Sequence, residues 1–291
     1  MCEEFRCIAP FDLVTVTKTK HIVEVQHMEK MNTQANIKKL DKDRYVDLKT
    51  GEIKEFRHIE NREQSYNSLR QTFKKLRYLI NNNLYGAENE LHCVLTYAEN
   101  MTDTKRLYSD TDKFLKRLRY KYGDVDYINV PEPQGRGAWH NHMLLRFNDK
   151  KQIFIPNTEL ADLWGHGFVQ IKSLKDVDNI GAYLSAYLSD VELTGKTELV
   201  AIEEKREVVT KSVEGKDKKF IKGGRLHMYP PGMNIIRKSK GMKYPDRKKM
   251  KYKNIKKIVG NTDPHYSKNI KVENDDFENN ITYEQYNLKR L

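Results

Sequence analysis

Between residues 44 and 190 the hydrophobic and polar positions alternate between the two-residue period of strands and the three-to-four-residue period of helices. Arg44-Tyr-Val-Asp-Leu48 and Glu52-Ile-Lys-Glu-Phe56, joined around Lys49-Thr50-Gly51, predict a hairpin. From Asn61, the positions Tyr66, Leu69, Phe73, Leu76 and Ile80 recur three and four apart, which predicts a helix that the Asn81–Asn83 triplet ends. Glu90 to Tyr97 is a nearly continuous apolar run, as expected of a central strand covered on both faces. A second helix from about Asp103 turns Leu107, Thr111, Phe114 and Leu118 toward the core.

Next, two apolar runs flank Gln134-Gly-Arg-Gly137 and predict a second hairpin with a tight glycine turn. Asn157 or Thr158 opens a short helix that Gly165 ends, and Phe168 to Lys172 reads as a strand. Asp176 to Asp190 reads as a further helix, capped by Asp176 or Asp178. Helices interleaved with antiparallel hairpins predict an α+β domain, a central mostly antiparallel β-sheet with flanking helices.

The pattern is weaker outside this stretch. Residues 1–40 read as a small β appendage and linker, 41–236 as the main domain, and 237–291 as a basic, flexible C-terminal tail. Within the main domain, residues 195–222 are charged and punctuated by Gly, and the loop-rich apolar segment 223–236 is expected to pack back onto the core.

Composition narrows the function. A formal net charge of +12 and a pI near 9.3 favour a polyanionic partner, and the absence of a long apolar run or amphipathic anchor makes nucleic acid the expected one and a membrane not. From Arg237 to Lys257 basic residues accumulate around a single acid, Asp246, with Tyr244 and Tyr252 interleaved. Lys238, Lys240, Arg247, Lys248, Lys249, Lys251 and Lys253 of this run, together with Arg136 in the glycine turn, are the candidate DNA contacts. Cys2, Cys7 and Cys93 form no Cys-x-x-Cys pair, and the first residues resemble no secretory signal; a cytoplasmic protein without structural zinc is expected.

The candidate chemistry lies in the second hairpin. His140 and His142 are two apart on a strand, so both imidazoles face one side of the sheet, and Glu132 on the opposite arm is placed to join them. Two imidazoles and a carboxylate suit an open divalent-cation site. His92 reads as a packed core histidine; it or Glu99 is the alternative third ligand. On the last helix Tyr183 and Tyr187 stand one turn apart on one face.

The Glu-x7-His-x-His hairpin followed by Tyr-x-x-x-Tyr on a helix resembles the HUH endonucleases, and among them the rolling-circle replication initiators of small bacterial plasmids and phages. Asn141 stands where that family places a bulky hydrophobe, and Ala186 and Asp190 stand where many two-tyrosine members carry Lys. The resemblance implies a metal-dependent nuclease and strand transferase. Glu132, His140 and His142 would hold Mg²⁺ or Mn²⁺, and Tyr187 or Tyr183 would attack origin DNA that is single-stranded at the nick and duplex nearby. Tyr187 is the favoured initiating nucleophile.

Thr194-Gly-Lys-Thr197 lacks the earlier glycine of a phosphate-binding loop, so unwinding would fall to a separate helicase. A transposase or mobilisation relaxase would use the same residues. In a non-enzymatic basic DNA-binding protein the histidines would be structural and the Tyr helix ordinary core.

Overall fold

The computed structural model describes residues 8–31, 36–56, 66–134, 137–182, 184, 191–192, 208–213, 216–221, 228–230, 232–274 and 277–290. The chain divides into two units, residues 61–244 and a second made of residues 1–60 with 245–291.

The 61–244 unit is built on a five-stranded sheet. Its strands are β6 (Glu90–Thr96), β7 (Val125–Pro133), β8 (Trp139–Phe147), β9 (Val169–Ser173) and β13 (Arg237–Lys238), in the order β13-β7-β8-β6-β9. All neighbours are antiparallel, so the histidine strand β8 is the middle one. Three helices accompany the sheet: α1 (Tyr66–Asn83), α2 (Thr104–Tyr122) and α3 (Asn157–Trp164). Asp103 caps α2 by accepting from the backbone N–H of Lys105 at 2.8 Å and Arg106 at 3.3 Å, worth about 1 kcal/mol. Gly165 ends α3 in the left-handed conformation, as its place in the sequence predicts. The fold is therefore α+β, a central antiparallel sheet flanked by helices, consistent with an HUH endonuclease-like domain.

Strand alternation gives the two faces of the sheet different partners. On one, Asn141 donates to Thr111 Oγ1 of α2 at 2.6 Å and accepts from Asn129 at 3.0 Å. On the other, Arg146 shares the side of His142; it donates to the Asn83 carbonyl at the end of α1 at 3.0 Å and to Asp126 at 2.8 Å. α1 thus lies on the histidine side and α2 behind it.

The helix expected from Asp176 has its described residues at 180–182 and 184. Neither Asp176, which takes a positive φ of 62°, nor Asp178 caps it. Asn179 does, accepting from the Ala182 N–H at 3.0 Å. Asn81 of α1 ties this start down, donating to Asn179 at 3.1 Å and accepting from the Gly181 N–H at 2.9 Å. Ile180 and Leu184 are buried. The apolar segment after residue 227 packs back as expected, with Tyr229, Met233 and Ile235 in the core. Strands β10 (Val191–Glu192), β11 (Val208–Val213) and β12 (Lys216–Ile221) make a separate three-stranded sheet that the charged sequence there did not announce.

The other unit corrects the expected appendage and flexible tail. Strands β1 (Leu13–Lys18), β2 (Ile22–Met28), β14 (Arg247–Lys251), β15 (Tyr266–Asn274) and β16 (Phe277–Asn287) form one antiparallel sheet, ordered β14-β1-β2-β16-β15. One face carries Val14, Val16, Val23, Val25 and Tyr286, packed with Ile255 and Val259. Every second residue of the basic run is free to be charged while Met250 packs against this core, so a sequence rich in Lys still forms a strand. The hairpin predicted at 44–56 is present as β4 (Arg44–Asp47) and β5 (Ile53–Glu55), joined by β3 (Ile37–Lys39) into a three-stranded sheet.

Gly181 is the tightest point of the α1 contact. A Cβ there would lie 2.6 Å from Asn81 Oδ1 and 2.9 Å from the Arg77 carbonyl oxygen. Gly181→Ala should lower stability by about 1–3 kcal/mol, seen as an earlier urea midpoint with an unchanged slope, although alanine is the better helix former. A midpoint equal to or later than wild type would contradict this packing.

Candidate active site

The site is set by the pairing of β7 with β8. Glu132 is directly opposite His140, and Val130 opposite His142, so all four side chains share the α1 face. The predicted convergence of Glu132 with the His pair is therefore present at the level of the backbone. Glu132 Oε2 and His142 Nε2 are in direct hydrogen-bond contact, both side chains being largely buried.

His142 also meets His92 of β6. Its Nδ1 lies 3.2 Å from His92 Nε2, with the rings stacked at a centroid distance of 5.4 Å. Burial, and then the charges of His142 and Lys172, hold His92 near pKa 3, so it is neutral at physiological pH. Glu132, His142 and His92 thus form a file in which the imidazole of His142 is held at both nitrogens. His92 is in the core as read from the sequence, but as the neighbour that orients His142.

His140 is turned differently. Its Nδ1 accepts from the Gln134 amide, 3.0 Å away. Gln134 belongs to the turn itself, its N–H bonded to the Ala138 carbonyl at 2.8 Å and its own carbonyl to the Gly137 N–H at 2.8 Å. Among the described residues no three His, Cys, Asp or Glu side chains stand gathered as a metal-binding group. Register brings Glu132, His140 and His142 to one face; side-chain rotation leaves His140 beside Gln134. Glu99 points to other work, an ion pair with Arg106 at 2.6 Å.

Tyr183, Tyr187 and Arg136 lie outside the described residues. Of the basic candidates in the 61–244 unit, Lys238 gives its ammonium to the Met242 carbonyl at 2.7 Å, which pins the local chain, while Lys240 is exposed. In the other unit Arg247, Lys248, Lys249, Lys251 and Lys253 are all exposed. Lys251 and Lys253 stand 5.6 and 4.4 Å from the ring centre of Phe11.

Two contributors were not visible in the sequence pattern. Gln134 reads there only as turn chemistry, although its position two residues after Glu132 on the same strand face is a usable signal. Tyr229 donates to the Pro131 carbonyl at 3.0 Å and has its ring 5.9 Å from that of Trp139, bracing the hairpin beside Glu132. Nothing in the sequence connects positions 98 residues apart.

A His92 buried as the neutral form ties stability to pH. Its folded pKa lies below the ordinary value of 6.5, so as pH falls from 6.5 toward 3 the unfolded chain takes up a proton that the folded chain refuses. The stabilisation is present above pH 6.5 and declines below it, at no more than about 1.4 kcal/mol per pH unit. His92→Phe should flatten the urea-unfolding stability between pH 6.5 and 4 relative to wild type. Parallel pH profiles would show that His92 is not buried as the neutral form.

No curated protein and no solved structure gives a significant match to the chain. Residues 90–192, which run from β6 through the histidine hairpin and the start of the last helix, match the model of a family of replication-associated proteins, the ORF2 type. That similarity supports a role in replication initiation.

Proposed function

We propose that the chain is a replication initiator that nicks single-stranded DNA at an origin and later rejoins it, as in rolling-circle replication. The observation that carries the reading is the placing of Glu132, His140 and His142 on the sheet face that also bears α1. The helix opening at residue 180 is bound to that same α1, and the whole stretch from β6 onward lies in the matched segment.

The donor set fits a hard divalent cation in its chemistry, one carboxylate with two imidazoles, and two of the three groups already touch. Glu132, His140 and His142 would hold Mg²⁺ or Mn²⁺, which when bound supplies electrophilic polarisation of the scissile phosphate. His92 keeps the ring of His142 in place, the outer-shell role that fixes a ligand's orientation and tautomer.

The remaining chemistry belongs to the tyrosines. The phenol of Tyr187, or of Tyr183, gives up its proton and its oxygen attacks phosphorus. The bond from phosphorus to the 3′ oxygen breaks, and that oxygen takes up a proton and leaves as a 3′-OH. The 5′ end stays on the protein as a phosphotyrosine ester that retains the bond energy, so a later 3′-OH reverses the reaction without ATP. Two tyrosines a turn apart allow a second transfer. The partners of this reading are origin DNA, single-stranded at the nick and duplex nearby, and a separate helicase. The exposed cations of β14 and Lys253 supply phosphate contacts for the duplex part.

The deciding experiment is a search for a covalent protein–oligonucleotide adduct with Mn²⁺ present. Wild type should form it. His142→Ala and Glu132→Ala should lose it by a factor of about a hundred or more in rate while keeping most of the DNA affinity, which comes from phosphate contacts. Tyr187→Phe should lose it outright, and Tyr183→Phe should form it but close circles poorly. No adduct in any variant or in wild type would leave the binding-protein reading.

A second measurement tests the basic strand. Lys248→Gln, Lys249→Gln and Lys251→Gln together should reduce the salt dependence of duplex binding by about 0.9 in log–log slope for each phosphate that these lysines neutralise. Cleavage of a short single strand should be spared. An unchanged slope would remove β14 from the DNA surface.

A further inference from the structure

Edge strand β9 lies on the same sheet face as the histidines. The β6–β9 and β6–β8 registers set Gln170, Val94 and His142 in one row and Lys172, His92 and Leu144 in the next. The hydrogen bond from the Thr96 N–H to the Phe168 carbonyl, 2.9 Å, continues the ladder by one more pair. Thr96 pairs with His140, and His140 with Glu132. Phe168 therefore stands in line with Glu132 and His140, two strand spacings or about 10 Å from His140.

The strand presents Phe168, Gln170 and Lys172 on this face at two-residue steps of about 6.6 Å, and all three are exposed. Phe168 is 74% exposed, although its neighbour Val169 is buried. Its position is built. Gly167 lies so close to β6 that a Cβ would stand 2.4 Å from the Ala98 nitrogen and 2.7 Å from the Thr96 carbonyl oxygen. The Ala98 N–H also bonds the His166 carbonyl at 2.9 Å. Lys172 is near enough to His92 that its charge helps keep that ring neutral.

From this row we infer that β9 is a track for the single strand beside the scissile phosphate, with Phe168 stacking on one base and Lys172 meeting a phosphate further along. An aromatic ring and a cation on one exposed face, continuous with the nicking site, complement a strand of unpaired bases on a polyanionic backbone. The inference rests on the nicking reading for the location of the scissile phosphate, and Phe168 acts as a positioning residue.

The test uses the full chain and fluorescein-labelled oligo(dT). Phe168→Ala should bind about tenfold more weakly, and Phe168→Trp should bind like wild type. Trp139 and Trp164 are both buried, so the indole of Phe168→Trp should show quenching on adding unlabelled oligo(dT) beyond that of wild type. Lys172→Gln should lower the salt slope by about 0.7. Wild-type affinity in Phe168→Ala, or no added quenching in Phe168→Trp, would overturn the track. Adduct formation alongside unchanged binding in Phe168→Ala would remove the track and keep the nicking reading. Quenching in a protein that never forms an adduct would keep the track and remove the nicking.

Discussion

The pairing register of β7 with β8 is the constraint on which the site depends. Side chains on a strand alternate faces, so a slip of one residue would send Glu132 or the two histidines to the α2 side and bring Asn141 or Pro131 forward. The register is locked from behind. Asn141 joins Asn129 and Thr111 through hydrogen bonds that exist in one alignment only, and Trp139 donates to the Thr102 carbonyl at 3.0 Å. A buried amide left unpaired would cost about 1–3 kcal/mol. The face that carries no chemistry thus decides what the other face presents.

The histidine side is tied in turn to α1. Arg146 reaches the Asn83 carbonyl, Asn83 exchanges hydrogen bonds with the backbone of Lys243, and Asn81 holds the start of the helix at residue 180. Three consecutive asparagines that look like a helix stop in the sequence are therefore also a junction of three chain segments. Their short polar side chains accept and donate at once, which apolar residues ending the same helix would not do.

Much of the 61–244 unit was legible because its sequence obeys strong local rules: the apolar spacing of α1 and α2, the Asp103 cap, the Gly165 stop and the glycine turn between two apolar runs. The placing of Glu132 opposite His140 followed from counting residues to the turn. What was not legible depends on distance along the chain or on rotamers. Asn179 replaced two nearby acids as the cap because Asn81, far away in sequence, holds it in place. His140 turned to Gln134 through side-chain torsions that no spacing encodes. The terminal sheet was missed because the lysines of β14 dominate its composition, while the residue that commits it to a core, Met250, is a single apolar position.

That terminal sheet has a consequence for the order of events during synthesis. Its strands β1 and β2 leave the ribosome first, and their partners β14 and β16 leave last, after the whole 61–244 unit has been made. The early strands must wait with unpaired edges, and closing so long an intervening chain is slow compared with local folding. The inserted unit has all its strands and helices within its own span and can fold meanwhile. A shortened product ending before residue 245 would keep the histidine hairpin intact but lack the pairing that its first strands require.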